Sequence, residues 1–152
     1  MAAPLPQLDE TVARPPRGER PRLHPIQILR WCRAADRDTL RAALWSLRAC
    51  LRVHTAPDAR GLHPPRLPRV PAVPAAAIAG VEHVLWLRSE QCLVRASVRQ
   101  AWLAAHGEEH DVVIGVALDA PGELRAHAWL AHEQHEGAGY EEIARVPAPP
   151  VA

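Results

Sequence analysis

Apolar positions along the chain follow two rhythms, separated by a stretch that has neither. Between Leu23 and Ala35, Ile26, Leu29 and Cys32 recur at three-residue steps beside Trp31, which predicts a short amphipathic helix. A second helix follows, capped by Asp36 or Asp38, with Leu40, Ala43, Leu44, Leu47 and Leu51 in one apolar stripe and Arg41, Arg48 and Arg52 around the polar side. From Thr55 to Pro74 the chain carries Pro57, Pro64, Pro65, Pro68, Pro71 and Pro74, whose fixed φ and missing amide hydrogens exclude a regular helix or central strand. A connector lying over the surface is expected there. The helical rhythm resumes over Ala75 to Leu87, with Ile78, Val81, Val84 and Leu85 on one face. It returns after Ser89, whose hydroxyl suits an N-cap and whose neighbour Glu90 complements the helix dipole. Val94, Val98, Ala101, Trp102 and Ala105 carry this central helix to Gly107, read as its left-handed cap.

Beyond Gly107 the period changes to two. Asp111 to Leu118 is dense in β-branched residues, with Gly115 as a point of close approach to helix or substrate, and Asp119-Ala-Pro-Gly-Glu123 is turn chemistry. Leu124 to Ala131 then alternates: Leu124, Ala126, Ala128 and Leu130 share one face, and Arg125, His127 and Trp129 the other. Tyr140 to Val146 reads as a third strand, after a polar loop that Gly137 and Gly139 suggest is mobile. The predicted fold is α+β, with a helical N-terminal part and then a core in which a central helix packs on a small antiparallel sheet. Its expected divisions are a disordered tail over 1–22, a helical region over 23–54, a Pro-rich connector over 55–74, the core over 75–147 and a tail over 148–152.

Composition narrows the function. Near-balanced charge, 18 basic against 17 acidic residues, argues against nucleic acid or an anionic membrane as partner, although every basic residue is Arg. An adaptor that binds DNA through Arg30, Arg33, Arg37, Arg41 and Arg48 is disfavoured for the same reason. No apolar run reaches the length of a membrane span, and Asp9 and Glu10 stand where a secretory signal is apolar, so a cytoplasmic protein is expected. Cys32, Cys50 and Cys92 are expected as thiols, the first two as small hydrophobes of helix faces.

The candidate chemistry centres on Cys92. A thiol in the first turn of a helix gains from the dipole and from unpaired amides, which favour the thiolate and can receive an oxyanion. Against this stands the plainer reading of Cys92 as a buried helix residue, and of His127 as a satisfied structural histidine. His132, Glu133, His135 and Glu136 cluster without the His-Glu-x-x-His spacing of a zinc helix, and no Gly-rich phosphate loop is present, so neither metal nor cofactor is expected.

Taken together, Gln91-Cys-Leu-Val-Arg-Ala96, Val112-Val-Ile-Gly-Val116 and Ala126-His-Ala-Trp-Leu130 resemble the transglutaminase-like cysteine peptidases that remove leader peptides in lasso-peptide biosynthesis. The resemblance covers about Ser89 to Val146. It implies a transglutaminase-like, papain-like core with Cys92 as nucleophile and His127 as general base and acid. It also implies an acidic third member, usually Asp, on the strand after the histidine. No Asp follows here, so Glu142 and then Glu141 are the candidates, the alternative being that both are surface glutamates and the orienting group is absent or a backbone carbonyl. The implied substrate is a precursor peptide cut at its leader-core junction, and the implied partners are a separate leader-recognition protein and a lasso cyclase. The rival reading is a catalytically inactive scaffold of the maturation complex.

Overall fold

The computed structural model describes residues 25–55, 67–88, 91–119 and 122–149. The expected tail over 1–22, much of the connector, and the Ser89 cap with Glu90 lie outside them. Helix α1, Pro25–Ala34, begins with the one residue whose missing amide hydrogen costs a helix nothing at its first position. Helix α2, Arg37–Thr55, is capped by Asp36 rather than Asp38. The Asp36 carboxylate accepts from the amides of Asp38 and Thr39, each at 2.9 Å, and from the Thr39 hydroxyl at 2.7 Å. The Thr39 amide foremost among these bonds holds the Asp36 pKa below the ordinary carboxylate value.

Helix α2 does not bury its leucines. Ala42, Ala43, Trp45, Ser46, Ala49 and Cys50 face inward, while Leu44, Leu47 and Leu51 are exposed. The cause is the closeness of helix α3, Ile78–Leu87, which a 3₁₀ turn over Ala75–Ala77 precedes. A Cβ on Gly80 would stand 2.1 Å from the Thr39 carbonyl oxygen, so only glycine and a row of small residues allow this contact. A face of Ala, Ser and Cys has the same helical period as the leucine stripe, and packing selects the small face. Trp31 of α1 stacks on His83 of α3, ring centroids 4.0 Å apart.

The described end of the connector is packed rather than draped. Trp45 Nε1–H donates to the Pro68 carbonyl at 3.0 Å, and Val73 enters the main core. That core joins Trp45, Ala49 and Cys50 of α2, Val81 and Leu85 of α3, and Val94, Val98 and Trp102 of helix α4, Cys92–Ala105. Helix α4 ends as the Gly107 signal predicts. Gly107 has φ +86°, its amide reaches the Ala104 carbonyl, and the Glu108 amide reaches that of Leu103, a Schellman closure.

Three antiparallel strands complete the fold, β1 Val112–Asp119, β2 Glu123–Leu130 and β3 Glu141–Val146, in the order β2-β1-β3. Gly115 is paired with His127 on one side and with Glu142 on the other. Between Ile114 and Gly115 the β1/β3 register slips, leaving Ile143 as the extra residue of a bulge. Val112, Ala128 and Leu130 belong to the main core, and Ile114 and Val146 pack against it. The buried Gln100 ties α4 to the sheet ends, its Nε2 donating to the carbonyls of His110 at 3.0 Å and Val146 at 3.1 Å. This is an α+β fold of the kind expected, with a central helix on a small antiparallel sheet.

Gly80→Ala should cost about 1–3 kcal/mol, the usual range for overpacking a tight contact. Urea unfolding of wild type and variant checks this, and an unchanged midpoint would mean that α2 and α3 are not so closely apposed.

Candidate active site

Cys92 is the first residue of α4. Gln91 is the N-cap, in extended backbone conformation (φ −59°, ψ 148°), and its side chain does not cap the helix. The first intrahelical bond runs from the Arg95 amide to the Gln91 carbonyl at 3.0 Å. The amides of Cys92, Leu93 and Val94 precede it and have no partner within the helix, so the thiol stands beside donors that a developing oxyanion can use. Cys92 is half-buried and packs against the main core.

His127 occupies the middle of β2, as expected, but strand alternation decides which way it faces. Ala128 and Leu130 lie in the core with α4, so the residues between and before them, Trp129 and His127, are on the opposite face of the sheet. Trp129 and Val113 are buried there outside the main cluster. No hydrogen bond joins Cys92 to His127 among the described residues. Strand alternation thus turns His127 away from Ala128 and Leu130, the β2 residues that pack with α4.

His127 has other company. Its Nε2 lies 3.4 Å from the Glu136 carboxylate, both side chains are about one-fifth exposed, and its ring is within 6 Å of Trp129 and Tyr140. The acid beside the histidine is thus Glu136, from the loop before β3, and not Glu142 or Glu141. Glu142 is exposed and accepts two hydrogen bonds from Arg145, at 2.9 and 2.7 Å. That pairing keeps the Glu142 pKa below its ordinary value. The bulge at Ile143 is the physical reason, because it puts Glu142 and Arg145 on one face despite their three-residue spacing. Glu141 is exposed, is paired with Val116, and makes no ion pair with His127.

The polar loop over 131–140 is pinned at several points. Successive turns are closed by bonds from Glu133 to Leu130, Glu136 to Glu133 and Tyr140 to Gly137. Trp129 is flanked by two glycines. A Cβ on Gly115 would stand 2.7 Å from the indole, and one on Gly137 would stand 2.5 Å from it. Gly115 therefore admits a tryptophan ring, not a helix or substrate, and Gly137 brings the loop down on that ring. Arg99 of α4 forms an ion pair with Glu133 of the loop and another, at 2.8 Å, with Glu82 of α3. Burial alone would lower the Arg99 pKa, yet the two carboxylates outweigh it and raise the value. No group of three or more His, Cys, Asp or Glu among the described residues is arranged to hold a metal ion.

A family described as the transglutaminase-like superfamily matches residues 33–144, which include α2 to α4, Cys92, His127 and Glu136. The chain belongs to that superfamily, whose members are often cysteine peptidases or transferases. No curated protein and no solved structure matches the chain significantly. No helix among the described residues is long and apolar enough to cross a membrane.

The loop carries a measurable pH dependence. The His132 ring lies tilted against that of His110, centroids 4.0 Å apart, and desolvation first, then His110, lowers its pKa against the opposing pull of Glu133. A histidine depressed in the folded state binds fewer protons there than in the unfolded chain. Its stability contribution is complete above the ordinary value of about 6.5 and is lost as pH falls from there through the folded value. Desolvated His83 adds a contribution of the same sign. Stability measured by urea unfolding should fall on acidification below about pH 6.5, less steeply in His132→Gln. Parallel curves for the two proteins would remove His132 from the account.

Proposed function

We propose that the chain is a cysteine peptidase that cleaves the leader from a lasso-type precursor peptide through a thioester on Cys92. The observation that carries this reading is the position of Cys92 as first residue of α4, beside unclaimed amides and inside the matched segment that also contains His127. In the reaction, His127 takes the thiol proton and the Cys92 sulfur attacks the carbonyl at the leader-core junction. The amides of the first turn hold the oxyanion. Protonated His127 gives its proton to the leaving amine, freeing the core, and water then hydrolyses the thioester on the leader. Glu136 replaces Glu142 as the acid that orients His127 and stabilises its charged form.

Alternation turns His127 away from the β2 residues that pack with α4, so this chemistry requires the Cys92 thiol and the His127 imidazole to meet when the precursor is loaded. A separate leader-recognition protein is the partner expected to deliver it, and a lasso cyclase takes the freed core. That no hydrogen bond joins Cys92 to His127 among the described residues favours a second reading, a catalytically inactive scaffold of the maturation complex.

Cleavage of lasso-type precursors, followed by mass spectrometry with and without their leader-recognition proteins, separates the two. The peptidase reading expects a cut at the leader-core junction. Cys92→Ala should abolish it, and His127→Ala should slow it by about 10²-fold or more, the usual weight of a general acid-base group. Intact precursor that nevertheless binds, or cleavage that survives Cys92→Ala, contradicts the peptidase reading; the former outcome leaves the scaffold.

A further inference from the structure

Where α2 borders the packed end of the connector, its exposed and buried faces meet in a strip that is not uniformly apolar. Arg41, Leu44, Trp45 and Arg48 follow one another at i, i+3, i+4 and i+7, so they line one side of the helix. Opposite them runs the packed end of the connector, Pro68, Arg69 and Pro71, held to α2 by the Trp45 indole bond to the Pro68 carbonyl. Between the two is an open groove of about 260 Å³. Its apolar lining includes Trp45, which is 4% exposed, and Leu44, which is 48% exposed. Three arginines, Arg41, Arg48 and Arg69, line it as well. Arg41 has only a loose contact with Asp38 at 3.8 Å, and neither Arg48 nor Arg69 has a carboxylate partner among the described residues.

From these features we infer that the groove is a docking site for an acidic, leucine-bearing segment of a partner protein. The volume is small for a cofactor, whose sites begin near 300 Å³, and suits one apolar side chain with backbone on either side. An exposed leucine beside a tryptophan supplies the desolvated centre of a contact, and the arginine charges supply orientation and attraction. Arg48 and Arg69 without carboxylate partners among the described residues, and Arg41 only loosely paired with Asp38, would repel a basic segment and would gain nothing from a neutral one. The prolines of the facing wall hold its backbone in an extended form and remove amide donors, so the wall is in place before the partner arrives. The inference does not depend on the peptidase reading, because it uses none of Cys92, His127 and Glu136.

The Trp45 indole proton reports on the groove directly. Two-dimensional NMR of the full chain, titrated with a short peptide of Asp and Glu flanking a leucine pair, should shift that resonance and leave the exposed Trp86 indole in place. The shift should weaken with added salt, and should be lost in Arg48→Glu and Arg69→Glu and with a peptide whose acids are Asn and Gln. Leu44→Asn should weaken binding at least several-fold while keeping its salt dependence. Circular dichroism of each variant shows that its fold is kept. A Trp45 resonance that does not respond, or that responds equally to the neutral peptide, overturns the inference. So does stronger, Arg48-dependent binding of phosphatidylserine vesicles or duplex DNA, or self-association of the chain through Leu44 in sedimentation.

Discussion

A strand has two faces, and β2 uses both. Ala128 and Leu130 close the core under α4, whereas His127 and Trp129 face the other way, beneath the loop that leads to β3. A slip of one residue would exchange these sets, exposing Leu130 and driving an imidazole and an indole into the space beside Trp102. Pairing along all of β1, from Val112 opposite Leu130 to Asp119 opposite Glu123, locks the register against that exchange. The direction in which His127 faces is therefore a consequence of how the core is filled.

The outer face is built around Trp129. Its indole lies against Gly115 on the sheet side and Gly137 on the loop side, and each contact tolerates nothing larger than hydrogen. Docking the loop on that ring brings Glu136 to His127, while Arg99 draws Glu133 toward α4. The loop thus connects the helix that begins with Cys92 to the carboxylate that holds His127.

The sheet was legible because strand signals are local: β-branched runs, an Asp-Ala-Pro-Gly turn and alternation that separated Ala128 from Trp129 in advance. The end of α4 was legible for a similar reason, since Gly107 needs a positive φ that few other residues accept. The inward face of α2 was not, because its leucines and its small residues share one period and only Gly80, far away in sequence, decides between them. Glu136 was missed because a loop of Gly, Glu and His has no period to read. The signal that could have found it was indirect: His127 shares its face with Trp129, and the first acids to follow that strand are Glu133 and Glu136. Glu142 was a reasonable choice by strand order, and the bulge at Ile143 gave it to Arg145 instead.

The chain belongs to the transglutaminase-like superfamily, with the nucleophile proposed for it at a helix start and the base proposed for it on β2. Acid-quenched mass spectrometry of the protein mixed with precursor peptide and leader-recognition protein tests that account most directly. The account predicts a transient adduct of leader mass on the peptide containing Cys92, released by hydroxylamine as a thioester should be. Bound precursor with no adduct, or an adduct on any other residue, would contradict it.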